Sequence, residues 1–194
     1  TLLQLNRDRH VLLLTMHHIV SDGWSMEILL RELMALYEAF SAGRPSPLPD
    51  REVGVLPRQL GQRRWLSGEA LARQVEYWRH QLAGAPAGLD LTADFQRPAV
   101  QTFEGSSRSF VLPAALTIDL KRLCQREGIT VFMLLLAAFD SLLARYSGQQ
   151  DILVGSPIAN RNRAETEGLI GFFVNTLVLR SDLAAAASFH ALLR

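Results

Sequence analysis

The sequence predicts an α/β protein built as two small lobes. Three observations carry that reading. Short apolar runs of strand character alternate with stretches of helical periodicity, the pattern of α/β layers. The 194 residues are enough for one domain or two small lobes with a buried core. A long irregular stretch, Gly84 to Gly105 with Pro86 and Pro98, exceeds the usual length of a connection inside a compact domain and is read as a crossover. The lobes are accordingly drawn as residues 1–88 and 106–194, with residues 89–105 crossing between them.

The elements follow in order. Thr1 to Leu5 and Val11 to Met16 read as two strands around a polar turn, Asn6 to His10. Val11-Leu12-Leu13-Leu14 has no polar alternation, which suits a strand buried on both faces. Ser21, Asp22 and Gly23 mark a loop. Met26, Leu29, Leu30, Leu33, Leu36, Tyr37 and Phe40 then recur at the three-and-four spacing of one buried helical face, ended by Gly43 and Pro45. Leu71, Val75, Trp78 and Leu82 mark a second amphipathic helix. Ser107 to Leu112 is a candidate strand. Pro113 opens a helix with Leu116, Leu120, Leu123 and Cys124 inward, and Thr130 caps another. Val131 to Phe139 make that helix almost wholly apolar, so it is expected to lie deep, with Gly148 as its stop. Ile152-Leu153-Val154 and Phe172 to Leu179 read as buried strands.

Composition removes several functional classes. With 48% hydrophobic and 20% charged residues the chain has an ordinary globular balance. A net charge of +1 provides no electrostatic footprint for nucleic acid, and no basic amphipathic stretch suggests a membrane surface. Cys124, the single cysteine, cannot form an internal disulfide, which fits a reducing, cytoplasmic setting. Val131 to Phe139 is too short to span a bilayer. Thr1-Leu2-Leu3-Gln4 has neither the charged n-region nor the cleavage site of a signal peptide. The missing initiator Met and the ending at Ser188 to Arg194, which reads as an interrupted helix, suggest a piece of a longer chain.

The chemistry concentrates in His17-His18-Ile19-Val20-Ser21-Asp22-Gly23, between a strand and a long helix. An imidazole with an unperturbed pKa near ~6.5 accepts a proton near neutral pH. An acid four residues on can fold back under the loop and orient it, and Gly23 permits a tight turn into the helix. Each residue also has a plain structural reading. His18 can be a hydrogen-bonded group beside a core strand. His17, one residue earlier, would point to the opposite face and is read as structural. Asp22 can be the cap of the helix starting near Trp24. A metal site is disfavoured, because adjacent strand histidines diverge and no His-Glu-x-x-His helix is present. Gly155-Ser156-Pro157 lacks the second glycine of a nucleophile elbow.

Met16-His17-His18-Ile19-Val20-Ser21-Asp22-Gly23-Trp24-Ser25 closely resembles the HHxxxDG signature of the condensation domains of nonribosomal peptide synthetases. Ile170-Gly171-Phe172-Phe173-Val174-Asn175-Thr176 resembles that family's downstream IGxFVNT strand. Tyr77-Trp78, Tyr146-Ser147-Gly148-Gln149 and Gly155 to Arg161 resemble further family segments in the right order. The resemblance implies two chloramphenicol-acetyltransferase-like α/β sandwich lobes forming a V around a tunnel, here truncated at both ends. It implies amide bond formation between a carrier-tethered aminoacyl or peptidyl thioester and a carrier-tethered aminoacyl acceptor. The domain would bind no cofactor itself, because substrates arrive on 4′-phosphopantetheine arms. Its partners would be the upstream donor and downstream acceptor carrier domains and a neighbouring adenylation domain. His18 is implied as the catalytic residue, His17, Asp22 and Gly23 as structural residues of the active site, and Asn175 as a tunnel-facing residue. Asp22 is implied to pair with an arginine from a segment preceding Thr1. The run Ser21 to Trp24 leans toward the subtype that uses an L-configured donor.

The sequence departs from the family's pattern at Arg51 to Gly61, where a Y-x-D-Y-x-x-W helix is expected, as from a local frameshift or real divergence. It departs again at Phe95, which replaces an arginine. Two other functions remain open at this point. A free-standing acyltransferase using coenzyme A thioesters shares the His-x-x-x-Asp logic, and a non-catalytic docking domain fits the altered stretch.

Overall fold

A computed structural model describes residues 1–49, 66–95 and 98–193; the altered stretch at 51–61 lies outside them. The chain divides into two compact units that are not sequential. The first comprises Thr1–Tyr77 with Ser156–Leu177, the second Trp78–Gly155 with Val178–Arg194. The irregular stretch at 84–105 lies wholly inside the second unit, so the expected split at 89–105 is not the division that the packing makes. The chain passes from one unit to the other inside a helix and two strands rather than in a loop.

In the first unit, β1 (Leu2–Gln4) and β2 (His10–Leu12) form an antiparallel hairpin in the register Leu2↔Leu12, Leu3↔Val11, Gln4↔His10. Asn6 Oδ1 accepts the Asp8 amide at 3.0 Å, the local side-chain turn that asparagine favours. Among the described residues this sheet has two strands, and Val11, Leu12, Leu13 and Leu14 are exposed, not buried on both faces as their composition suggests. Helix α1 (Gly23–Ser41) is capped by Asp22, whose side chain accepts the Ser25 amide. Its packed side is Ser25, Ile28 and Ala39. Leu30, Tyr37 and Phe40 of the expected inward stripe are exposed. Helix α2 (Gly68–Gln81) coincides with the second amphipathic helix read from the sequence.

In the second unit, α3 (Ala114–Glu127) follows Pro113 and ends at Gly128 with φ +69°. Helix α4 (Val131–Ser147) starts where Thr130 Oγ1 accepts the Met133 amide and stops at Gly148 with φ +73°. Both glycines are left-handed, a conformation that costs residues with a Cβ. Cys124 of α3 packs with Leu134 and Ala137 of α4 and with Leu193. Only that face of α4 is buried. Phe132, Leu135 and Phe139 are exposed, so the all-apolar helix does not lie deep. The expected strand at Ser107–Leu112 is not formed; no strand pairs with it among the described residues, and Phe110 and Val111 are exposed.

Strands β3 (Asp151–Ile158) and β4 (Asn175–Asp182) form the second two-stranded sheet, with Ile152 fully buried. Arg180 forks onto Asp151 at 2.7 and 2.9 Å and donates to the Gln81 and Ala83 carbonyls at 2.8 and 2.9 Å, satisfying acceptors at the end of α2. Two single-turn helices, α5 (Ala164–Glu167) and α6 (Phe189–Leu192), complete the described elements. No single helix among the described residues is long and apolar enough to cross a membrane.

Candidate active site

His18 is not on a strand. β2 ends at Leu12, and His18–Val20 form one turn of 3-10 helix. His17 is the cap of that turn: its Nδ1 accepts the Ile19 amide at 3.0 Å, while the Val20 amide returns to the His17 carbonyl at 3.1 Å. The His17 imidazole is thereby committed to holding backbone.

The His18 imidazole turns back on its own loop. Nδ1 lies 2.7 Å from the Ser21 carbonyl oxygen. A carbonyl oxygen only accepts, so Nδ1 is the donor in this contact, and in the neutral ring Nε2 is the nitrogen with the free lone pair. The ring also meets Phe172 edge to face, with centroids 5.4 Å apart and planes at 88°. A hydrogen bond and a ring contact thus constrain one imidazole.

Beneath this turn lies a buried polar node centred on Asp22, which is 2% exposed. Asp22 Oδ1 accepts the Ser25 amide at 2.9 Å and the Ser25 hydroxyl at 2.7 Å. Its Oδ2 accepts the Phe173 amide at 3.0 Å. Arg161 Nη2 reaches Oδ1 at 3.1 Å and donates to Ser25 Oγ at 2.9 Å. Burial alone would push the Asp22 carboxyl up. The Phe173 amide, the Ser25 hydroxyl and amide, and the Arg161 guanidinium outweigh it and hold the pKa at about 2, below the ordinary 3.8. The carboxylate is therefore ionised throughout the neutral range, as a fixed structural anion.

Ser25 is fully buried and bonds in both directions. Its Oγ accepts the Gly171 amide at 3.0 Å and lies 2.8 Å from the Gly171 carbonyl. Arg161 extends the node: Nη1 donates to the carbonyls of Thr166 and Leu169, tying in the segment around α5. The Phe173 ring lies 4.2 Å from the Arg161 Cζ, and the Trp24 ring 5.8 Å from it.

These bonds correct two expectations. The partner of Asp22 is Arg161, within this chain, rather than an arginine preceding Thr1. And β4 begins at Asn175, not at Phe172, because Gly171 and Phe173 give their amides to Ser25 and Asp22 instead of a strand ladder. Gly23 is the first residue of α1, and a Cβ built on it meets nothing within 4 Å, so the described residues impose no steric demand for glycine there. Asn175 is exposed, and its Oδ1 accepts the Thr176 amide at 2.9 Å. Among the described residues no group of three or more His, Cys, Asp and Glu side chains converges as a metal site would require.

Sequence reasoning missed Arg161, Ser25 and Phe172 as members of the site. Arg161 ends the family-like segment Gly155 to Arg161, but nothing in that run tied it to an acid 139 residues away.

The family model for the condensation domain matches residues 1–194. One of the proteins that make up linear gramicidin synthase in Brevibacillus parabrevis is 52% identical over 193 residues, a match covering 100% of this chain and 4% of that protein. Among solved structures, the first condensation domain of the calcium-dependent antibiotic synthetase superposes with a TM-score of 0.73 at 27% identity, over 91% of this chain and 39% of that one. The X-domain of teicoplanin biosynthesis, solved in complex with OxyB, superposes with a TM-score of 0.82 at 27% identity, over 91% of this chain and 40% of that one. The chain thus spans a small fraction of the gramicidin synthase protein and about two fifths of the solved chains.

Proposed function

The chain belongs to the condensation-domain family, and on that premise we propose that it contributes His18 to amide bond formation between two carrier-tethered amino acids. The observation that carries this reading is the His18 Nδ1 contact with the Ser21 carbonyl, which in the neutral ring leaves Nε2 as the proton acceptor. The acceptor amine attacks the donor's thioester carbonyl carbon. A C–N bond forms and the C–S bond breaks. The proton lost by the amine passes to His18 Nε2 and from there to the departing thiolate. Asp22 stays ionised in its node and holds the loop rather than exchanging protons. Tethering both reactants supplies much of the remaining rate through proximity, on the order of 10⁵ M in effective concentration.

Both substrates come on 4′-phosphopantetheine arms of an upstream donor and a downstream acceptor carrier domain, beside an adenylation domain, in the cytoplasm. The donor is L-configured, the subtype toward which Ser21 to Trp24 lean. Asn175, exposed at the start of β4, faces the substrate path. A free-standing acyltransferase using coenzyme A draws no support from a chain 52% identical to part of a peptide synthase.

The test is single-turnover peptide bond formation by the complete parent module with loaded carriers. His18→Ala is expected to lower the rate about 100-fold or more. An unchanged rate overturns the reading. The likeness to an X-domain solved in complex with OxyB favours a second reading, a docking domain. That reading requires native protein and His18→Ala to be equally inactive while the carriers load normally.

A further inference from the structure

Phe172 is the one residue between two anchored neighbours. Gly171 on one side gives its amide to Ser25 Oγ at 3.0 Å, with its carbonyl 2.8 Å from the same oxygen. Phe173 on the other side gives its amide to Asp22 Oδ2. Ser25 and Asp22 belong to the same node that supports the His18 turn, since Asp22 directly follows Ser21, whose carbonyl holds His18 Nδ1. The backbone on either side of Phe172 is thus referenced to the backbone that carries the imidazole, and its ring meets that imidazole at 5.4 Å and 88°. The Nδ1 bond alone leaves one soft motion, a rocking of the ring about that contact. A perpendicular aromatic wall opposes it, because edge-to-face contact loses attraction and then clashes as the planes tilt. Phe172 also occupies the unspecified position of the IGxFVNT-like run, so nothing in the motif assigns it a role.

We infer that Phe172 is a positioning residue for His18: it fixes the direction of the Nε2 lone pair, and the Ser25–Gly171 clasp sets where that wall stands. The inference rests on His18 acting as the proton acceptor. Phe172 is 44% exposed, so trimming its ring leaves no buried cavity, and the fold tolerates replacement.

The experiment is a double-mutant cycle in the complete parent module, read as the maximal single-turnover rate with saturating acceptor carrier. Phe172→Leu, which keeps an apolar side chain without the flat ring, is expected to slow native protein about tenfold or more, as misplacement of a catalytic group does. The acceptor concentration giving half-maximal rate is expected to stay unchanged. Phe172→Tyr retains the ring and is expected to retain the rate within about threefold. In the His18→Ala background Phe172→Leu is expected to have no further effect, because the group it positions is gone. A native rate in Phe172→Leu overturns the inference. So does an equal loss in both backgrounds, or a loss seen only as weaker acceptor binding, either of which makes Phe172 a substrate contact or a packing residue. If His18→Ala alone leaves the rate intact, the proton-acceptor reading itself falls, a result distinct from failure of the cycle.

Discussion

Arg161 Nη2 lies 3.1 Å from Oδ1 of Asp22, and both side chains are sealed from solvent, at 1% and 0% exposure. An ion pair removed from water in this way is worth little relative to an apolar substitute, but costly to break, because one charge is then left buried alone. Arg161→Ala is therefore expected to destabilise the complete domain by about 3–5 kcal/mol. Arg161→Lys is expected to recover only part of the loss. A single ammonium cannot reach Asp22, Ser25 and the carbonyls of Thr166 and Leu169 together, as the planar guanidinium does. Chemical denaturation of the three proteins at pH 7 checks both expectations.

Asp22 also predicts an acid limb to stability. Its carboxyl titrates at about 2 in the folded protein against 3.8 ordinarily. A depressed acid stabilises the fold above its unfolded pKa and loses that contribution as pH falls toward the folded one. About 2 kcal/mol is expected to disappear between pH 4 and pH 2. Denaturation midpoints across that interval should show the slope in native protein and a reduced slope in Asp22→Asn.

Asp140 predicts the opposite sign. It is 1% exposed, its Oδ2 accepts the Ser181 hydroxyl at 2.6 Å, and its Oδ1 has no partner among the described residues. Burial pushes its carboxyl up, only partly countered by the Ser181 bond. The folded state then binds the proton more tightly than the unfolded state does, so stability falls as pH rises from the ordinary carboxylate value through the raised one. Asp140→Asn is expected to abolish that descending slope. Urea midpoints measured from pH 4 upward decide it, and an unchanged slope would assign the effect to other groups.

Gly23→Ala is expected to leave stability unchanged or to raise it by up to about 1 kcal/mol, since the site is helical and a Cβ there has open space. Thermal unfolding checks this. A stable variant with a reduced single-turnover rate would mean that the substrate itself occupies the space before Gly23.

What the sequence displayed was mainly local. Asp22 and Thr130 are read as caps because a cap needs only a side-chain oxygen and an amide three residues on. Gly148 is legible as a stop for a similar reason. The HHxxxDG-like run lies on a 3-10 turn rather than at the strand end that its sequence suggests. Hidden were the pairings that span the chain. An arginine in an irregular segment looks solvated until the fold brings a buried carboxylate to it. A serine in a helix's first turn looks like an ordinary capping residue, yet Ser25 closes a contact with Gly171. The exposed strands and helix faces misled for a different reason. Apolar patterning reports which surface can be buried, not which neighbour covers it.

The distance along the chain between Asp22 and Arg161 also has a consequence in time. At roughly 5–20 residues per second, a ribosome that has released Asp22 needs on the order of 7 to 30 s to deliver the guanidinium that pairs with it. Through that interval the nascent His18 loop holds an acid without its cation and a hydroxyl without Gly171. The setting of His18 is therefore assembled only when the stretch from Arg161 to Phe173 has emerged, so a chain stalled before that point carries the histidine without it.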